Sequence, residues 1–191
     1  MKVKYLDLKN KRVFITGGGS GIGASIVEHF CEQGSEVYFV DINIKETNRL
    51  LKKIKKNRFR TPNFIECNLL DINKLEKIIK KIISTKGPIH ALINSAANDD
   101  RHTTDQVDEK YWENRMAINL KHYFFAAKAV VKAMKKIKSG SIVNLSSVSW
   151  MLGEGDKVVY ETAKSAVVGL TRSFAQELSL IHISEPTRRK R

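Results

Sequence analysis

Short, unbroken apolar runs of strand length alternate with segments of helical period along most of this chain, and this alternation constrains the fold more than any other feature. Arg12–Thr16, Glu36–Asp41, Asn63–Cys67, Ile89–Asn94 and Gly140–Ser146 read as strands. Ile22–Gln33, Lys45–Lys56, Ile72–Ile83, Asp108–Lys136 and Val158–Leu178 carry apolar residues at helical spacing, the fourth with a break near its start. Strands that are apolar throughout, with helices between them, require a parallel sheet covered on both faces. Right-handed crossovers then give a doubly wound α/β domain, read here over residues 1–178.

Charge raises a competing class. The net charge is +14, which invites a nucleic-acid partner. However, Arg188, Arg189, Lys190 and Arg191 crowd the extreme end. Lys52, Lys53, Lys55 and Lys56 alternate with Leu50, Leu51 and Ile54, and Lys77, Lys80 and Lys81 with Leu75, Ile78, Ile79 and Ile82. Both patterns are amphipathic helices with a solvated basic face. No aromatic residues are interleaved to stack on bases, so no nucleic-acid partner is expected. The start has no signal-like apolar run and no stretch has membrane-spanning length, which makes a cytoplasmic protein without a membrane partner the expectation. Cys31 and Cys67 lie in apolar segments without His or Cys at ligand spacing, so they are expected to be buried thiols, with no metal.

The first strand runs straight into Thr16-Gly17-Gly18-Gly19-Ser20-Gly21-Ile22-Gly23. A strand turning sharply into a helix needs positive φ, which Gly17 can adopt. Bare backbone at Gly21 and Gly23 would let a pyrophosphate approach the helix N-terminus, where free N–H groups and the dipole favour anions. Asp41 closes the next strand. Its carboxylate can accept from a ribose diol and would repel a 2′-phosphate, which favours NAD over NADP. The rival reading of Asp41 is a cap for the following helix.

Tyr160-Glu-Thr-Ala-Lys164 sets a phenol and an ammonium one helical turn apart. A tyrosine with a pKa of about 10 is a poor base until a neighbouring cation favours its phenolate. Asn144-Leu-Ser-Ser147 ends the fifth strand at the sheet edge where open α/β sheets bind ligands, so Ser147 can address the same substrate oxygen as Tyr160.

Thr16-Gly-x-x-x-Gly21-x-Gly23, Asn119, Ser147 and Tyr160-x-x-x-Lys164 together resemble, in order and spacing, the motif set of the short-chain dehydrogenase/reductase family, across residues 8–178. The resemblance implies a Rossmann fold and an NAD-dependent oxidoreductase acting on CH–OH groups. It assigns Tyr160 as general acid/base, Ser147 as its partner, Lys164 as the group that tunes Tyr160 and binds the nicotinamide ribose, and Asn119 as holder of a relay water. It places Gly17, Gly19, Ser20, Gly21, Ile22, Gly23, Asp41, Asn68, Leu69, Asn94, Ala96, Tyr160 and Lys164 against the cofactor. Two departures from the family pattern stand out: Asn94-Ser95-Ala96-Ala97 replaces Asn-Asn-Ala-Gly, and Asn68 stands where many members carry Asp.

The segments Ala97–His102, Tyr111–Arg115 and Ser147–Gly153 are further similar to bacterial aldose dehydrogenases of the D-xylose 1-dehydrogenase type, which oxidise a sugar's anomeric carbon to a lactone. On that likeness Asn98, Ser147, Trp150, Glu154 and Tyr160 are candidates to line a polyol pocket. Asp99, Asp100, Arg101 and His102 read equally as a polar loop with internal salt bridges. Trp112 reads as core or interface rather than substrate site. Another alcohol or 3-oxoacyl reductase of the family is the enzymatic alternative, and an inert dinucleotide-binding protein the non-enzymatic one. The resemblance also implies a homo-oligomeric parent, a dimer or tetramer.

Leu178-Ser-Leu-Ile-His-Ile-Ser-Glu-Pro-Thr-Arg188 resembles the translation of a sequencing-library adapter, so residues 179–191 are expected to be a foreign tail. By resemblance, the last strands and substrate lid would then be lacking. The 191-residue chain alone is expected to be inactive, with the Ala163, Val167, Leu170 and Phe174 stripe left uncovered.

Overall fold

The computed structural model describes residues 3–179. The reading of the tail beyond Ser179 lies outside the described residues. Among them, five strands form one parallel sheet in the order β3-β2-β1-β4-β5: β1 Arg12–Thr16, β2 Glu36–Asp41, β3 Asn63–Glu66, β4 Ala91–Asn94 and β5 Ser141–Asn144. The helices are α1 Gly21–Glu32, α2 Ile44–Lys56, α3 Ile72–Lys86, α4 Glu109–Met116, α5 His122–Ile137, α6 Ser149–Leu152 and α7 Val158–Ser179.

Alternation along β1 divides the core in two. Val13 and Ile15 point to one face and pack with Val27 and Cys31 of α1 and Leu50 and Ile54 of α2. Phe14 points to the other, where Leu75, Ile79 and Ile82 of α3 meet Ala126, Ala127, Val130 and Met134 of α5. This is the doubly wound α/β arrangement expected from the sequence. The strand order reverses between β1 and β4, so a crevice opens beyond their C-terminal ends.

The basic faces lie as the periodicity predicts. Lys52, Lys53, Lys55 and Lys56 are exposed, while Leu50 and Ile54 beside them are buried. Among the described residues, no helix is long and apolar enough to cross a membrane. The break expected in the long helix is a π-helical turn, Ala117–Lys121, between α4 and α5. Asp108 caps α4 by accepting from the Tyr111 amide.

Two expectations are narrowed. The stripe on α7 is covered in part: Ala163 and Val167 are buried, while Leu170 and Phe174 are half-buried, Phe174 packing against the core cluster and stacking on Phe124 with ring centroids 5.7 Å apart. Helical spacing identifies an apolar face but not what covers it. Of the two readings of Trp112, core or interface, its 40% exposure removes the first and leaves the second.

Candidate active site

The Gly-rich turn is built by two different steric needs. Gly17 takes φ +69° and Gly21 φ +53°, the left-handed region that disfavours side chains. A Cβ on Gly17 would lie 2.6 Å from Ala96 Cα, so the turn packs directly against the segment after β4. A Cβ on Gly23 would strike the Gly17 carbonyl, which makes Gly23 a requirement of the turn itself rather than only of ligand approach. A Cβ on Gly21 meets open space. Ser20, the N-cap of α1, uses no side-chain capping bond. The start of α1 is therefore bare backbone and a free hydroxyl, fitted to hold a phosphate.

A cleft of about 600 Å³ runs from this turn across the sheet edge. Gly17, Ser20, Ile22, Gly23, Asp41, Asn68, Leu69, Ala96, Asn98, Tyr160 and Lys164 all line it, joining residues that span most of the sequence. Gly19 and Gly21 flank it without lining it. Asp41 is not a helix cap, because Asn43 accepts from the Glu46 amide and fills that position. One Asp41 oxygen accepts from the Gly19 amide at 2.7 Å, the other from the Asn43 amide at 2.8 Å. The carboxylate thus braces the loop while lining the cleft, and its remaining lone pairs can accept from a diol. Asn68 Oδ1 accepts from the Leu70 amide at 3.0 Å.

One turn of α7 brings Tyr160 and Lys164 to the cleft wall, with Nζ 5.6 Å from the Tyr160 ring centroid. Lys164 is otherwise sunk in the protein, 1% exposed. Its Nζ donates to the Tyr123 hydroxyl and to the Leu145 carbonyl, both at 2.8 Å. Burial lowers its pKa from 10.5 to about 8. His122, whose ring centroid lies 4.4 Å from that of Tyr123, is wholly buried, and its pKa falls to about 3 through burial and the Lys164 charge. Asn119, in the π-helical turn, spends its amide on one neighbour: Oδ1 accepts from the Asn98 amide at 2.8 Å and Nδ2 donates to the Asn98 carbonyl at 2.9 Å.

Besides Gly19 and Gly21, five sequence candidates do not line the cleft: the buried Asn119 and four more. Ser147 Oγ pairs with Ser149 Oγ at 2.9 Å and accepts from the Ser149 amide, a local turn that competes with any bond to Tyr160. Asn94 is buried between strands, where Nδ2 donates to Asn144 Oδ1 at 2.8 Å. Trp150 lies on α6 with its indole N–H buried and unpaired. Glu154 is drawn into an ion pair with Lys157 at 2.5 Å. In the loop after β4, Arg101 pairs with Asp156 and Asp100 with Arg115, so the salt bridges run to other segments rather than within the loop. His102 goes further: its Nε2 accepts from the Val159 amide at 3.3 Å, tying this loop to the residue before Tyr160.

Tyr123, Thr16 and the Leu145 carbonyl are site components that sequence reasoning left unassigned. Thr16 Oγ1 accepts from the Ser95 and Ala96 amides at 3.1 and 3.3 Å, locking the loop that Gly17 packs against. Thr16 carried a signal, as the polar end of a buried strand. Tyr123 carried none, because Tyr-Phe-Phe inside an apolar helix looks like core.

The family model for short chain dehydrogenases matches residues 11–184. The D-xylose 1-dehydrogenase of Caulobacter vibrioides is 41% identical over 174 residues, covering 91% of this chain and 68% of that one. A probable galactose dehydrogenase of Rhizobium meliloti is 37% identical over 175 residues, covering 92% and 68%. The ligand-free aldohexose dehydrogenase of Thermoplasma acidophilum superposes with a TM-score of 0.79 at 29% identity, covering 91% of this chain and 63% of that one.

Proposed function

The chain belongs to the short-chain dehydrogenase family of oxidoreductases acting on CH–OH groups, and on that footing we propose that it transfers a hydride between NAD and an aldose, giving the lactone. The observation that carries the reading is the single cleft that joins the Gly-rich turn and Asp41 at one end to Tyr160 and Lys164 at the other.

The cleft fits a dinucleotide. Ser20 and the bare start of α1 would hold the phosphates, Asp41 the adenosine ribose, Asn68 and Leu69 the adenine, and Lys164 the nicotinamide ribose. When bound, the nicotinamide supplies the hydride acceptor. Tyr160, as the phenolate, would take the proton from the sugar hydroxyl. The Lys164 ammonium favours that phenolate. Ser147 completes the set once its hydroxyl turns from Ser149 to the substrate oxygen. Sugar as the substrate class rests on the D-xylose and galactose dehydrogenases among the relatives, and NAD over NADP rests on Asp41.

Fluorescence titration of the chain with NADH and NADPH tests the cofactor half. Tight NADH and weak NADPH binding are expected, with the gap narrowing in Asp41→Ala. Equal affinities in the unmutated chain refute it. The substrate half is tested by NAD reduction with a panel of aldoses, using the longest open reading frame that carries this sequence. Turnover of secondary alcohols but no aldose refutes that half.

A further inference from the structure

A tyrosine hydroxyl sealed in a core needs partners, since an unpaired buried hydroxyl costs as much as a lost hydrogen bond and phenylalanine would fill the same space. Tyr123 is fully buried on α5, in line with Ala126, Ala127, Val130 and Met134. Its hydroxyl lies 3.1 Å from the Leu145 carbonyl and 3.3 Å from the Ala96 carbonyl, to either of which its one proton can be donated. Its oxygen accepts from Lys164. The phenol therefore joins three segments around the ammonium: the loop after β4, the loop after β5, and α7.

We propose that Tyr123 is a positioning residue for Lys164, its hydroxyl and the Leu145 carbonyl fixing two of the three ammonium N–H groups so that the third remains on the cleft side beside Tyr160. The arithmetic is that of the ammonium's three donors. Two are held at 2.8 Å by groups whose own geometry is fixed, the carbonyl at the end of β5 and the phenol in the core. The third is left where Lys164 lines the cleft. The titratable groups around Nζ are Tyr160 on its own helix, with Tyr123 and His122 on α5. His122 is neutral at working pH and Tyr123 is held above its ordinary range, chiefly by burial, so neither supplies a counter-charge. The charged form of Lys164 depends on its acceptors, and removing one favours the neutral amine.

The catalytic meaning rests on the reading of Lys164 given under the proposed function, whereas the contact itself does not. The test is NMR titration of lysines labelled with ¹³C at Cε, with the Lys164 resonance assigned by its absence from Lys164→Met. In Tyr123→Phe the Lys164 midpoint should fall by about one pH unit, the size of one lost hydrogen bond to a charged group. An unchanged midpoint in a folded Tyr123→Phe overturns the proposal. Should that variant not fold, 3-fluorotyrosine labelling reads the same contact from the other side. The Tyr123 fluorine resonance, assigned by replacing the other four tyrosines in turn, should move in Lys164→Met, and an unmoved resonance overturns the proposal. Failure of the unmutated chain to bind NADH would instead overturn the proposed function, while the titration would still decide the role of Tyr123.

Discussion

Asn119 makes both of its side-chain hydrogen bonds to the backbone of one residue, Asn98, at 2.8 and 2.9 Å. A planar amide paired with a peptide unit in this way fixes the position and the orientation of the loop that follows β4. Asn119→Ala would leave the Asn98 N–H and C=O without these partners. A loss of about 1–3 kcal/mol is expected, because Asn98 is half-buried at the cleft and water can replace part of what its N–H and C=O lose. Urea unfolding reads the total and hydrogen exchange at the Asn98 amide reads the site. Wild-type protection at that amide would contradict the assignment.

Gly21 and Gly23 are two residues apart and should respond differently to alanine. At Gly21 the Cβ meets open space and the cost is the left-handed backbone alone, about 1–2 kcal/mol. At Gly23 the Cβ would strike the Gly17 carbonyl, and backbone cannot step aside as a side-chain tip can. Gly23→Ala is expected to cost at least twice as much or to prevent folding. Thermal melts of the two variants side by side decide it, and equal melting temperatures would show that the turn is looser than described.

Tyr160→Phe keeps the ring on the cleft wall and removes the proton carrier. Turnover of an aldose by the longest reading frame should fall about 10²–10⁴-fold, the usual weight of a general acid/base. NADH affinity, read by fluorescence on the same preparation, should change little. A variant that keeps most of its turnover would mean that another group moves the proton.

His122 gives the fold a built-in acid sensitivity. Its pKa is about 3 when buried against the ordinary 6.5, so between these values the unfolded chain binds the extra proton and the folded one does not. Stability is therefore unaffected above about pH 6.5 and falls as the pH drops towards 3. Between pH 7 and pH 5 the loss from this one group is about 2 kcal/mol. The difference in urea unfolding free energy between wild type and His122→Leu should shrink or reverse over that interval. A pH-independent difference would show that His122 is not held neutral.

What the sequence alone determined was whatever depends on neighbours within one turn or one pleat. The apolar runs at 12–16 and 36–41 specified buried parallel strands. Gly17 announced its positive φ, and Tyr160 and Lys164 declared a shared face of α7, because helical geometry sets that relation without outside help. Tertiary structure decided which acceptor each polar group takes. Ser147 turned to Ser149, Asn94 to Asn144 across the β4–β5 pair, and Lys164 to a phenol 41 residues away. A buried donor bonds whatever acceptor the packed chain presents to it, and that choice has no period a sequence can carry.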